Sequence, residues 1–177
     1  DEKPFDLPKG WEWARLATVT EIVRGITFPA SEKNVSPAPG LVACLRTANV
    51  QNTIEWDDLL FVSEKFVKRS DQFVDVDDIV MSMANSRELV GKVALIDKSL
   101  NFPVSFGGFL SVIRPYELHP HFLMSLLRTT SFREEVIGNA SQTTNIANIS
   151  LAKLNPMVVA CPPLAEQARI VAKVDEL

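Results

Sequence analysis

The rhythm of hydrophobic positions changes twice along the chain, and the changes divide it. Near the start, Leu7-Pro8-Lys9-Gly10 is a turn signal, and Trp11 and Trp13 on alternate residues share one face of a strand. Thr18 with Glu21 three residues on has the spacing of a capping box, which predicts a short helix through Val23 stopped by Gly25. From Ile26 to Gly40 the pattern lapses into Pro29, Ser31, Lys33, Asn34, Ser36, Pro37 and Pro39, a polar loop of a length that compact domains reserve for function or motion. Strand-length apolar runs follow at Leu41 to Leu45, Ile79 to Met83, Leu89 to Ile96 and Phe109 to Ile113; their spacing predicts a twisted, mostly antiparallel sheet. Between them, Ser63 to Val67 predicts a helical turn with Ser63 as N-cap, and Asp77-Asp78 a turn into the next strand.

From Pro120 the period becomes helical, with Phe122, Leu123, Leu126 and Leu127 on one face and Pro120 suited to the first turn. Ser131 with Glu134 predicts a second capped helix through Ile137, stopped by Gly138. Residues 140–148 are polar without charge, and after Met157 to Ala160 the Pro162-Pro163 pair opens an amphipathic helix. Leu164, Ala168, Val171 and Val174, flanked by Ile170 and Leu177, form its apolar stripe. The stripe is cut off in mid-pattern, so we expect that the natural chain continues or that the stripe meets a partner. The expected fold class is α+β: one globular domain over residues 1–160, then the start of a helix over 161–177.

Composition narrows the classes. A chain of 177 residues with 46% hydrophobic and 23% charged residues is ordinary for one globular domain and excludes disorder and collagen. Cys44 and Cys161 lie far apart in apolar runs, which fits reduced core thiols and a cytoplasmic, prokaryotic setting. No stretch approaches a membrane span, and Asp-Glu-Lys-Pro is not the start of a secretory signal. Asn34, Asn139 and Asn148 match the glycosylation pattern, which matters only in a secreted protein. Eighteen basic against 22 acidic residues give a net charge of −4, which excludes a simple DNA-coating protein.

Catalytic chemistry is not legible. His119 and His121 flank Pro120 at the entrance to a helix, without cysteines at ligand spacing, so no metal is expected. There is no Gly-x-Ser-x-Gly elbow and no phosphate-cradling loop; Gly107-Gly108 reads as a bulge or turn. Asp1-Glu2-Lys3 has a nuclease-like carboxylate spacing but sits at a terminus, and Asn155-Pro156-Met157 lacks the second Pro and the aromatic of an amino-methyltransferase loop. The chain reads as a binding module with no cofactor.

Several segments together resemble the specificity subunit of type I restriction–modification enzymes, over nearly the whole chain. They are the opening Leu7 to Leu16, the Leu45-Arg46-Thr47-Ala48-Asn49-Val50 segment, Asp78 to Ser82, Val90-Gly91-Lys92, Phe122-Leu123 with Ser131-Phe132-Arg133, and the closing Cys161 to Val171. The resemblance implies one non-catalytic target recognition domain with the start of a spacer helix. It implies double-stranded DNA as ligand, methylation and restriction subunits as partners, and a second recognition domain, in the same subunit or in a homodimer made through the helix. The pairing residues would be Leu164, Ala168, Ile170, Val171, Val174 and Leu177.

The residue types agree with such a role, because Arg and Lys match guanine edges, Asn and Gln match adenine, and Ser and Thr either. Arg24, Thr27 and Lys33 fall in the first loop; Arg46, Thr47 and Asn49 follow a strand; Asn85, Ser86 and Arg87 form a polar turn; Gln142, Thr143, Thr144 and Asn145 make the late loop. Lys33, Lys68, Arg69 and Lys92 are candidates for phosphate contact. Each group also has a plain reading: a strand end, a hairpin turn, a connector closed by local hydrogen bonds, a solvated basic step. The alternative to DNA reading is a protein-interaction scaffold, which the negative charge favours. Against that, Glu55, Asp57 and Asp58 with Asp71, Asp75, Asp77 and Asp78 gather negative charge in two stretches and leave room for a basic face. Modest, salt-sensitive affinity is expected from the domain alone.

Overall fold

The computed structural model describes residues 4–176. Strand β1 (Glu12–Arg15) runs into a single helical turn, α1 (Leu16–Val19), and then into β2 (Thr20–Arg24). The helix expected through Val23 is therefore mostly strand. Thr20, Ile22 and Val23 are β-branched, and residues 20–24 pair antiparallel with residues 111–115, Ile22 opposite Ile113. The Thr18 hydroxyl donates back to the Arg15 carbonyl at 2.6 Å, so it does not cap a helix.

The long loop holds one short turn at Ala30–Glu32 and is pinned where the backbones of Asn34 and Phe61 exchange two hydrogen bonds of 2.9 Å. Beyond it lie β3 (Leu41–Leu45), β4 (Leu60–Ser63), β5 (Ile79–Ser82), β6 (Ala84–Asn85), β7 (Val93–Leu95), β8 (Val104–Phe106) and β9 (Leu110–Pro115). The run from Leu89 to Ile96 is strand only in its second half. Residues 89–92 turn, with Gly91 at φ 78° and the Leu89 and Val90 amides bonded to the Ser86 carbonyl. Ser63 precedes the short turn Glu64–Phe66 without a side-chain cap.

Helix α2 (Pro120–Leu127) carries its proline in the first turn and buries Phe122, Leu123, Met124 and Leu127. Helix α3 (Thr130–Asn139) starts earlier than expected: Thr129, not Ser131, caps it by accepting the Phe132 amide, and Gly138 lies within it. Then come β10 (Ser141–Gln142), β11 (Ala147–Asn148), α4 (Leu151–Leu154), β12 (Val158–Cys161) and α5 (Leu164–Asp175).

Among the described residues the strands form four small sheets in place of one: β2-β9-β5-β7, β4-β3-β8, β10-β11-β6 and β1-β12. Pairing is antiparallel except between β3 and β8. The central strands β5 and β9 are buried on both faces, the reason their sequences run apolar without alternation. Ile79, Met81 and Ile113 join a cluster with Leu123, Leu127 and Phe132, while Val80, Val112 and Leu110 join another with Leu45, Ile96 and Phe106. Cys44 and Cys161 are free thiols; burial pushes that of Cys44 up to about 12.

Asp77-Asp78 does turn into β5, with Asp77 at φ 70°. The buried Asp78 carboxylate accepts the Asp75 amide at 2.8 Å and two Arg114 donors at 2.8 and 3.0 Å. Burial still raises its pKa above the ordinary carboxylate value, the Arg114 bond offsetting only part of the desolvation.

The closing end is tied to the opening one. Four residues of β1 pair with four of β12, from Glu12 opposite Cys161 to Arg15 opposite Val158. Helix α5 packs on α2, and its buried residue, in the first turn, is polar: Gln167 is 2% exposed, accepting the His119 amide and donating to the Pro162 carbonyl at 2.8 Å each. Ile170 and Val171 are half-buried, while Leu164, Ala168 and Val174 stay exposed. The expected stripe is thus split between the domain and solvent, and Leu177 lies outside the described residues.

Candidate nucleic-acid interface

Hydrogen bonds between backbones draw three distant segments to one place. The Gly25 amide donates to Leu110 at 3.1 Å, the Ile26 amide to Phe106 at 2.8 Å, and the Gly107 amide to Leu45 at 2.8 Å. The ends of β2, β3 and β8 therefore meet. Only glycine fits at the crossing, since a Cβ on Gly25 would lie 2.1 Å from the Gly107 oxygen.

Two adjoining cavities open beside this crossing. One, of about 450 Å³, is lined by Arg24, Thr27, Lys33, Arg46, Thr47 and Phe109, among others. The second, of about 220 Å³, is lined by Arg24, Ala84, Phe109, Ser111, Asn148 and Ser150, among others. Arg24, Gly108 and Phe109 line both. Neither lining contains a carboxylate, although the chain as a whole carries −4. Among the described residues, Arg24 and Lys33 form no salt bridge and are exposed.

The second cavity runs into the small sheet β10-β11-β6, where Ala84 pairs with Asn148 and Asn85 with Ala147. Two polar segments that are remote in sequence become one surface there, and Arg87 donates to the Gln142 side chain at 2.8 Å across it. The late polar run is an ordered hairpin: the Thr143 amide and hydroxyl both bond the Ile146 carbonyl, at 2.9 and 3.3 Å, leaving Thr144 and Asn145 exposed at the tip. Asn85 accepts the Ser86 amide at 2.9 Å, closing its own turn, and both residues are half-buried.

Other expected contacts are differently placed. Asn49 is 1% exposed; its oxygen accepts the Arg46 amide and its nitrogen donates to the Glu55 and Asp58 carbonyls at 2.9 and 3.0 Å. Its amide is occupied within the fold, where it closes the 46–58 loop and offers no free group to solvent. Arg46 borders the groove, but its guanidinium bonds the Asp58 carboxylate, so the acidic stretch and the basic face touch. Lys68 donates to the Lys65 carbonyl at 2.7 Å and Arg69 grips Asp71 at 2.9 and 3.1 Å; neither lines these cavities. Lys92 bonds the Gln51 side chain. Phe109, Ser111 and Asn148 also line the cavities; in sequence Phe109 and Ser111 are ordinary strand positions that carry no signal, whereas Asn148 belongs to the polar run 140–148. Among the described residues no cluster of His, Cys, Asp or Glu could hold a metal ion, and no helix is long and apolar enough to cross a membrane.

The family described as type I restriction modification DNA specificity domain matches residues 8–177. The chain is 35% identical over 174 residues to the type I restriction enzyme EcoKI specificity subunit of Escherichia coli strain K12, and 33% identical to the StySPI specificity subunit of Salmonella potsdam. Each alignment covers 97% of this chain and 37% of the relative, so the chain spans a little over a third of their length. In fold it is similar to the crystal structure of the HsdS subunit from Thermoanaerobacter tengcongensis, with a TM-score of 0.70 at 23% identity over 97% of this chain and 38% of that one.

Proposed function

The chain belongs to the type I restriction modification DNA specificity domain family, and from that premise we propose that it reads the base sequence of one half of a bipartite duplex target. The observation that carries this reading is the groove at Arg24, lined by no carboxylate and continuous with the small polar sheet beside which Arg87 bonds Gln142. A scaffold has no need to segregate charge in this way, and the −4 balance that favoured one is held largely in other segments.

Base edges require donors and acceptors held at fixed positions. Arg24 extends from the last residue of a paired strand, which fixes its backbone, and the Arg87 guanidinium is oriented by Gln142 before any ligand binds. Thr27, Thr47, Ser86, Thr144 and Asn145 add shorter groups at the margins. Lys33 and Lys92 suit phosphates, which position the domain without specifying sequence. Bond making and breaking would fall to methylation and restriction subunits, this chain supplying neither catalyst nor cofactor. Residues 1–160 would form the recognition domain, and 161–177 the start of a helix that joins a second recognition domain or a second copy through Leu164, Ala168, Ile170, Val171, Val174 and Leu177. The setting would be prokaryotic cytoplasm.

Selection from randomised duplexes, with the full-length subunit bound to its methylation partner, tests this. A short motif that occupies one half-site is expected. Enrichment of no motif in the assembled complex contradicts the reading.

A further inference from the structure

Phe109 is 66% exposed, yet it does not sit on a loose loop. Its carbonyl accepts the Met83 amide at 2.8 Å, and the next residue is held twice, with the Leu110 amide donating to Gly107 at 2.8 Å and its carbonyl accepting Gly25 at 3.1 Å. Gly107 and Gly108 precede it, so no side chain from those two positions covers the ring. A large apolar side chain kept in water on a rigid backbone forgoes the stabilisation of burial.

Its surroundings indicate what would cover it. Phe109 lies on the wall common to the two cavities, beside Arg24, with Lys33 and Arg46 along one lining and Asn148 along the other, and no carboxylate in either. An apolar partner peptide would strand Arg24 and Lys33, which have no acidic partner among the described residues, whereas a DNA major groove offers base edges and phosphates for them and one apolar group for the ring. That group is the thymine 5-methyl, which projects into the groove and is the apolar feature that distinguishes one base there.

Resting on the reading of the groove as a DNA interface, we propose that Phe109 is a specificity-determining residue that contacts the 5-methyl of a thymine in the half-site, between base edges read by Arg24 and by the Arg87–Gln142 pair.

The experiment uses the assembled subunit and the duplex selected above, with each thymine replaced in turn by uracil, which removes the methyl and leaves every hydrogen-bonding group. One position is expected to lose about fourfold in affinity, the size of one methyl group's burial. In Phe109→Ala and Phe109→Ser that uracil penalty should vanish, while the preference at positions read by arginine remains. If every thymine tolerates uracil, or the penalty survives in both variants, the inference is overturned although the DNA-reading function stands. If no motif is selected at all, the function fails and the inference with it.

Discussion

The groove beside Arg24 and the end where the chain enters and leaves are built in opposite ways. At the closing end β1 and β12 pair over four residues, and Gln167 spends its amide on His119 and Pro162. At the groove the backbones are just as firmly bonded, through Gly25, Gly107 and Leu110, but the side chains of Arg24, Thr27, Lys33 and Phe109 are left to solvent. The same contrast separates the cations. Arg69 and Arg114 are held by Asp71 and Asp78 at 2.9 and 2.8 Å, while Arg24 and Lys33 have no such bridge among the described residues. Basic residue type alone therefore does not single out the groove; Arg24 and Lys33 differ from these cations in lining a cavity with no acidic partner.

Substitutions that cross this boundary should have the largest effects. Gly25→Ala places a carbon 2.1 Å from the Gly107 oxygen, so strands must separate under the groove. A loss of about 3 kcal/mol, with weakened DNA binding, is expected from urea unfolding and duplex titration. Gln167→Leu should cost about 2 kcal/mol by leaving the half-buried His119 amide and the buried Pro162 carbonyl unmatched, while the selected motif stays the same. Arg24→Ala should reverse that pattern, losing about tenfold in specific affinity with stability within about 0.5 kcal/mol of the parent.

Smaller effects concern the buried titrating groups. With its thiol near 12, Cys44 should resist alkylation at pH 8 in the folded protein and react at the ordinary rate in urea. Asp78 binds its proton more tightly in the native state than in the unfolded chain. Its contribution to stability is therefore full below the unfolded value near 3.8 and is lost as pH rises through the raised native value. The stability difference between the parent and Asp78→Asn should accordingly shift against the parent as pH rises through that window, as chemical denaturation at successive pH values would record.

Local chemistry made some of this fold legible in the sequence and long-range pairing hid the rest. Pro120 with its apolar face marked α2, and Leu41 to Leu45 marked β3, because each pattern is set by its own burial. Thr18 and Glu21 suggested a helix that pairing with β9 overrode, and the two-residue strands β6, β10 and β11 are too short to carry a period. Of the candidates that residue type suggests, the fold gathers Arg24 and Lys33 at the groove and brings Arg87 to Gln142 beside it. Residue type also suggests Asn49, because a buried clamp and a base reader use the same amide, and it passes over Phe109, whose exposure depends on glycines and on Met83 across the sheet.

The central claim is that the unpaired cation of the groove specifies sequence and the paired cations do not. Motif selection with the assembled subunit, run side by side for the parent, Arg24→Ala and Arg69→Ala, measures it directly. The account predicts that Arg24→Ala relaxes the motif at one position while Arg69→Ala returns the parent motif unchanged. Identical motifs from all three proteins, or relaxation by Arg69→Ala alone, would contradict it.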